Sequence, residues 1–205
     1  MKFYDRYIYP RCLDKVCGIG PITKQREKIV PLATGCVVEI GIGLGLNLPH
    51  YDPKAVTKII GVDPDYHLWK RSEKRRGACP IEIERIGLSD EKLPLEDNIA
   101  DTVLVSYTLC TIPDPIKALN EMARVLRPDG LILFAEHGKA PDVSVRKWQN
   151  KIDPLWKRIA GGRHSGRDIP ALFETANLEL TAPEQMYIPG PRVLSYNYWG
   201  AAKAK

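Results

Sequence analysis

Between residues 37 and 47 the chain reads Val-Val-Glu39-Ile-Gly41-Ile-Gly43-Leu-Gly45-Leu-Asn47, an apolar run that ends in an acid and alternating glycines. Glycine tolerates positive φ and carries no side chain to hold a ligand off the backbone. A short helix starting just after such a turn offers free N–H groups to an anion. The dinucleotide fingerprint Gly-x-Gly-x-x-Gly is not met, because its third glycine falls on Leu46. What stands is Glu-x-Gly-x-Gly-x-Gly, with the acid at the end of a strand. A second acid follows in Val62-Asp63, 22 residues after Gly41. At the end of the next strand, such an acid is placed to accept two hydrogen bonds from ribose hydroxyls. Its other reading is a cap for a helix that starts near Asp65. Joined to the glycine turn, the ligand role is the one expected. Leu88-Ser89-Asp90-Glu91-Lys92-Leu93-Pro94 follows the third apolar run and is placed to border an adenine, whose exocyclic amine needs an acceptor.

These residues need strands and turns to hold them. Apolar runs of strand length lie at Cys36–Ile40, Lys58–Asp63, Ile81–Ile86, Asp101–Ser106 and Gly130–Glu136. All but the third are nearly continuous, as expected for parallel strands covered on both faces, and the third suits an edge. Helical spacing appears at Asp65–Arg76 and Pro115–Leu126, the latter with Asp114 as its N-cap. Alternation of strand and helix predicts a three-layer α/β fold with right-handed crossovers. Leu178–Tyr187 and Tyr196–Lys203 read as a terminal antiparallel hairpin, giving a Rossmann-like sheet of seven strands, mostly parallel. The expected organisation is one domain: a helical leader over 1–33, a ligand-binding core over 34–137, a substrate cover over 138–177 and the hairpin over 178–205. The leader is expected to be amphipathic, with Tyr4, Tyr7, Ile8 and Leu13 on its apolar face. Pro154 is expected to kink or restart the helix of the cover.

With 205 residues, 44% hydrophobic and 27% charged, the composition is that of a globular domain and excludes general disorder. No apolar run approaches the roughly 20 residues of a membrane span, and Met1–Arg6 lacks an apolar signal core. Five cysteines, an odd number without a Cys-x-x-Cys pair, point to free thiols in a reducing compartment and to no metal site. The net charge of +5 is unevenly spread. Residues 139–168 hold eight basic side chains against three acidic, and residues 1–30 hold seven against three, leaving the core mildly acidic. A basic cover over an acidic core fits an anionic substrate or an acidic membrane surface better than nucleic acid, which is not expected as a partner.

The ordered set Glu39–Gly45, Val62-Asp63, Leu93-Pro94, Asp101–Ser106 and Leu126-Arg127-Pro128-Asp129-Gly130 resembles the S-adenosylmethionine-dependent methyltransferases of the Rossmann-like fold, in the branch called type 11. The resemblance covers residues 34–137. It implies S-adenosyl-L-methionine as cofactor and S-adenosyl-L-homocysteine as product. By that resemblance, Gly41, Gly43 and Gly45 approach the methionine part, and Glu39 holds the loop and faces the amino group. Asp63 takes the ribose, Pro64 packs near the adenine, and Ser89 or Asp90 meets its edge. Asn47, Leu88, Ser106 and Tyr107 complete the cofactor surface. The family's Asp-Ala-Glu ahead of Leu-Pro is replaced here by Ser89-Asp90-Glu91-Lys92, one residue longer. The flanks, with Asn47-Leu48-Pro49-His50-Tyr51, Leu155–Gly162 and Arg167-Asp168-Ile169, look like the methyltransferase-like 7 thiol methyltransferases. The loop style also resembles bacterial phospholipid N-methyltransferases.

Methyl transfer from a sulfonium is an in-line displacement, so positioning and exclusion of water matter more than a catalytic motif. A thiol acceptor needs only a group favouring the thiolate, whereas a hydroxyl needs a general base. The candidates are Tyr107, His137 and His164, the last in a glycine-rich stretch suited to a lid. Cys110 fits a core role better than a nucleophile. The expected activity is methylation of a small apolar or amphiphilic acceptor, a thiol before a phospholipid headgroup and either before RNA. The expected place is the cytoplasm, with peripheral contact to a membrane surface.

Overall fold

Successive residues of the central strands are apolar on both faces, and both faces of the sheet they form are covered. The computed structural model describes residues 9–88, 91–159 and 164–205. Five strands, β1 (Gly35–Ile40), β2 (Val56–Val62), β3 (Glu82–Ile86), β4 (Ala100–Ser106) and β5 (Leu126–His137), pair in parallel. They are followed by β6 (Leu178–Leu180), β7 (Glu184–Tyr187) and β8 (Tyr196–Ala204). The order across the sheet is β3-β2-β1-β4-β5-β8-β6, with β8 antiparallel to β5 and β7 also pairing β8. The seven positions expected from the sequence are therefore present, and the outermost is split. The run expected as one strand over Leu178–Tyr187 breaks at Thr181–Pro183, where Pro183 offers no N–H to the ladder.

Alternation along the strands divides the core. Val38, Ile40, Val103, Val105, Ile132 and Phe134 face one side. There they meet α5 (Pro115–Val125) through Leu119 and Met122, and α7 (Ile169–Thr175) through Phe173. The rings of Phe134 and Phe173 lie 4.7 Å apart. Val37, Ile59, Leu104 and Leu133 face the other side, against Ile29 and Val30 of the leader. Each fully buried aliphatic side chain contributes about 1.5–3 kcal/mol relative to exposure, and the burial fixes which face of every strand points inward. As predicted, Asp114 caps α5, its Oδ1 accepting from the Lys117 N–H at 3.1 Å.

Three local expectations are corrected. The leader is two helices, α1 (Tyr9–Cys17) and α2 (Gly20–Ile29), broken at Gly18-Ile19; Tyr4, Tyr7 and Ile8 lie outside the described residues. The helix expected over Asp65–Arg76 is also two, α3 (Tyr66–Arg71) and α4 (Glu73–Ala78). The buried Ser72 stands between them and turns its hydroxyl back to the Trp69 carbonyl at 2.7 Å, a bond that competes with the helical ladder. By contrast, α6 (Val143–Ile159) runs through Pro154 without a break. Proline removes one backbone donor there, and the neighbouring turns keep theirs.

Candidate active site

Between β1 and β4 the order of the sheet reverses, and the carboxyl ends of the strands diverge into a crevice, the place where doubly wound sheets hold ligands. A cavity of about 400 Å³ lies there, within the usual range for small-molecule sites. β1 leads into its floor through Glu39, Gly41 and Gly43, β2 supplies Asp63 and Pro64, and β4 ends at Ser106 and Tyr107.

The glycine turn is dictated by sterics. Gly41 has φ +72°, and a Cβ there would collide with the Thr108 side chain. Gly43 has φ +38°, and a Cβ would stand 3.2 Å from Asp63 Oδ2. Any larger residue would thus both strain the backbone and fill the space in front of the acid. Glu39 is fully buried, with Oε1 accepting from Asn47 Nδ2 at 2.9 Å and Oε2 from the Tyr51 hydroxyl at 2.8 Å. Burial pushes its carboxyl up to about 7 despite those two bonds. Asn47 also donates to Ser106 Oγ at 3.0 Å, which ties the loop after β1 to the end of β4. At Asp63 the two sequence readings separate. Asp65 caps α3, its Oδ1 accepting from the N–H groups of His67 and Leu68 at 2.7 and 3.2 Å. Asp63 faces the cavity, with burial raising its carboxyl to about 6.

The turn after β4 is held from below. Tyr107 has φ +53°, a left-handed conformation that a bulky residue adopts only when its surroundings enforce it. Those surroundings are on both sides of it. Its N–H donates to the Ala135 carbonyl at 2.9 Å and its hydroxyl to Asn197 Oδ1 at 2.7 Å. Glu136, wholly buried in β5, accepts the next two N–H groups, from Thr108 at 2.7 Å and Leu109 at 3.0 Å, on Oε1. Burial pushes Glu136 up to about 8 and raises the Tyr107 phenol well above its ordinary range.

Most sequence-predicted residues meet here: Glu39, Gly41, Gly43, Asn47, Asp63, Pro64, Ser106 and Tyr107 all line the cavity. Gly45, at φ +66°, turns the loop from behind the lining. Leu88 is exposed and away from it, whereas Ser89 and Asp90 lie outside the described residues. Their neighbour Glu91 does line the cavity, its Oε1 accepting from the Asp114 N–H at 2.9 Å. The two histidines are placed otherwise than expected. His137 stacks on Tyr107 with ring centroids 6.5 Å apart instead of lining the cavity, because Tyr107 stands in front of the strand end. His164 is drawn toward Asp153, 3.6 Å away, and its N–H donates to the Cys110 carbonyl at 2.8 Å. Cys110 is buried, as expected of a core residue.

The sequence reading missed the leader's contribution. Leu13 and Cys17 of α1 and Arg26 of α2 line the cavity, with Thr108, Thr111 and Ile112 from the turn after β4. Arg26 hides in the charged run Lys24-Gln25-Arg26-Glu27-Lys28, which reads as a solvated face. The available signal was its spacing, four residues after Ile22 and three before Ile29, which puts it on the buried stripe.

Comparison with known proteins agrees with this geometry. A family profile described as "Methyltransferase domain" matches residues 38–134. The thiol S-methyltransferase TMT1B of Rattus norvegicus is 30% identical over 169 residues, 77% of this chain and 68% of that protein. A phosphatidylethanolamine N-methyltransferase of Cereibacter sphaeroides is 29% identical over 119 residues, 55% of this chain and 57% of that one. Among solved structures, a SAM-dependent methyltransferase from Leishmania major superposes with a TM-score of 0.71 at 16% identity, over 98% of this chain and 80% of that one. At that identity the likeness is one of fold.

Proposed function

The chain belongs to the S-adenosylmethionine-dependent methyltransferases, and from that premise we propose that its acceptor is a small apolar thiol. S-adenosylmethionine supplies the electrophile, a methyl group on a sulfonium. The residues present fit it: backbone at Gly41 and Gly43 that a ligand can approach, Asp63 for the ribose hydroxyls, and Glu39 on the side of the methionine ammonium. The remaining task of the chain is to bring an acceptor up in line and keep water away.

One observation carries the choice of acceptor. Each of the four lining carboxylates already accepts a hydrogen bond from the chain: Glu39 from Asn47 and Tyr51, Asp63 from the Asp65 N–H, Asp65 from His67, and Glu91 from Asp114. The Tyr107 phenol donates to Asn197 and is held neutral by burial. An alcohol or an ammonium must give its proton to a base before it can attack. A thiol, with a pKa of about 8.5, supplies its own thiolate near neutral pH. Leu13 and Ile112 give the cavity an apolar wall that suits such an acceptor. In a screen of labelled methyl transfer over thiols, amines, phenols and phosphatidylethanolamine vesicles, small apolar thiols are expected to be methylated. The rate should rise with pH through the pKa of each thiol. Transfer to amines or phenols with none to thiols overturns the reading.

A second reading, methylation of a phospholipid headgroup at a membrane surface, has its own support. Trp148 and Val143 of α6 are 56% and 57% exposed, and Lys151 Nζ lies 5.0 Å from the Trp148 ring. An aromatic flanked by cations is suited to the interface of an anionic bilayer. Among the described residues no helix is long and apolar enough to cross a membrane. Methylation confined to the vesicles in the same screen would favour this reading.

A further inference from the structure

Arg26 is a cation almost wholly out of water, 4% exposed, in the wall of the cavity. Its Nη1 donates to the Cys17 carbonyl at 2.7 Å, and the Tyr107 ring centre lies 5.2 Å from its guanidinium carbon. Its Nε, also buried, has no hydrogen-bond partner among the described residues. The acids around it act through space, since Glu39 gives its oxygens to Asn47 and Tyr51, and Glu136 gives Oε1 to backbone. A buried charge with one neutral hydrogen bond is costly to keep unless something in the cavity pairs with it. The planar fork of a guanidinium matches a carboxylate better than it matches any other common anion.

We propose that Arg26 is the receptor for the α-carboxylate of the cofactor's amino-acid end, a role that rests on the methyltransferase reading above. That end bears an ammonium and a carboxylate on one carbon. The cavity offers it one buried acid, Glu39, and one buried guanidinium, Arg26, each of which influences the other's ionisation. Tyr107 stands at the guanidinium as a wall only, because its hydroxyl is committed to Asn197. The leader helix α2 is therefore part of the cofactor site, and no motif of the core encodes it.

Calorimetric titration of the full chain with two ligands tests this. S-adenosylhomocysteine carries the carboxylate; 5′-methylthioadenosine keeps the nucleoside thioether and lacks the amino acid. Arg26→Met is expected to weaken S-adenosylhomocysteine by about 10- to 100-fold, the loss of a charge-assisted contact. It should leave 5′-methylthioadenosine within about twofold, which also reports that the variant is folded. Arg26→Lys should fall between. Equal weakening of both ligands would make Arg26 a packing residue and overturn the proposal. So would unchanged binding of both with altered saturation by the thiol, since the anion would then be the acceptor's. If the unsubstituted chain bound neither ligand, the cofactor reading itself would fall.

Discussion

The two sides of the cavity are built by different rules. On the sheet side, Glu39, Gly41, Gly43, Asn47, Asp63 and Ser106 stand within a few residues of strand ends and are locked by short hydrogen bonds. Their positions follow from backbone geometry, so few residue types can occupy them. On the leader side, Leu13, Cys17 and Arg26 come from two short helices that pack on the sheet through apolar contacts, and many sequences pack equally well. The sheet side is acidic and raises its carboxyls by burial; the leader side is apolar with one buried cation. A ligand with a polar nucleoside and an apolar partner would span exactly such a boundary of chemistries, each half read by the half that matches it.

If the sheet side is set by backbone geometry, its glycines should be the least replaceable residues of the molecule. Gly41→Ala combines a positive φ with a collision at Thr108. The overpacking and strain together cost about 3 kcal/mol, so the affinity for S-adenosylhomocysteine should fall by about 100-fold in calorimetry. A loss below about threefold would break the comparison.

Asp63 sharpens it through pH. Its ionised form accepts both ribose hydroxyls, and its carboxyl sits at about 6, so cofactor affinity should fall as the pH drops through 6. Glu39, at about 7, adds to the fall in the same direction, because its protonation removes the partner of the ammonium. Asp63→Asn should weaken S-adenosylhomocysteine by about 10-fold at pH 8, the value of a hydrogen bond to a charged group. It should also flatten the remaining slope between pH 5 and 7. A variant that keeps the full slope would assign the titration to Glu39 alone.

The same contrast explains what could be read from the sequence. Glu39, the glycines and Asp63 were legible because strand ends, positive φ and the ribose acid impose residue types at fixed separations. The parallel core was legible for a similar reason, since strands covered on both faces must be apolar throughout. Arg26 was not, because a charged helix with one buried stripe resembles a solvated helix until the sheet that covers it is known. The histidines failed in the opposite way. His137 has the right place in the chain, one residue past a buried acid on a ligand-side strand end, but the left-handed turn at Tyr107 puts an aromatic ring before it. Such a turn depends on Glu136, Ala135 and Asn197 together, and no local pattern announces it.

Glu136 tests whether that turn is supported by a neutral acid. Its folded value, about 8, stands above the ordinary 4.5, so the fold favours the protonated form. The stabilisation is complete below pH 4.5 and is lost as the pH rises through 8. Glu136→Gln keeps an acceptor for Thr108 and Leu109 and never ionises. Its Tm should exceed that of the unsubstituted chain increasingly toward pH 9, by about 2–4 °C for each kcal/mol involved. Parallel Tm curves over pH 5–9 would remove the buried charge from the account of the turn.

The smallest effect should come from the apolar wall, and it separates the two sides most cleanly. Leu13 of α1 lines the cavity while remaining partly exposed, so Leu13→Ala costs little folding stability. Its side chain meets the acceptor's apolar part equally in the bound and the reacting state, and uniform binding of that kind appears in KM and not in kcat. Removing three carbons of partly buried surface should raise KM for an apolar thiol by about 3- to 10-fold. The affinity for S-adenosylhomocysteine should stay unchanged, because the nucleoside contacts lie on the sheet side. If Leu13→Ala weakened the cofactor as much as the thiol, the leader would close over both ligands as one surface. The division between a side fixed by backbone and a side fixed by packing would then describe how the cavity is built and not how it divides its ligands.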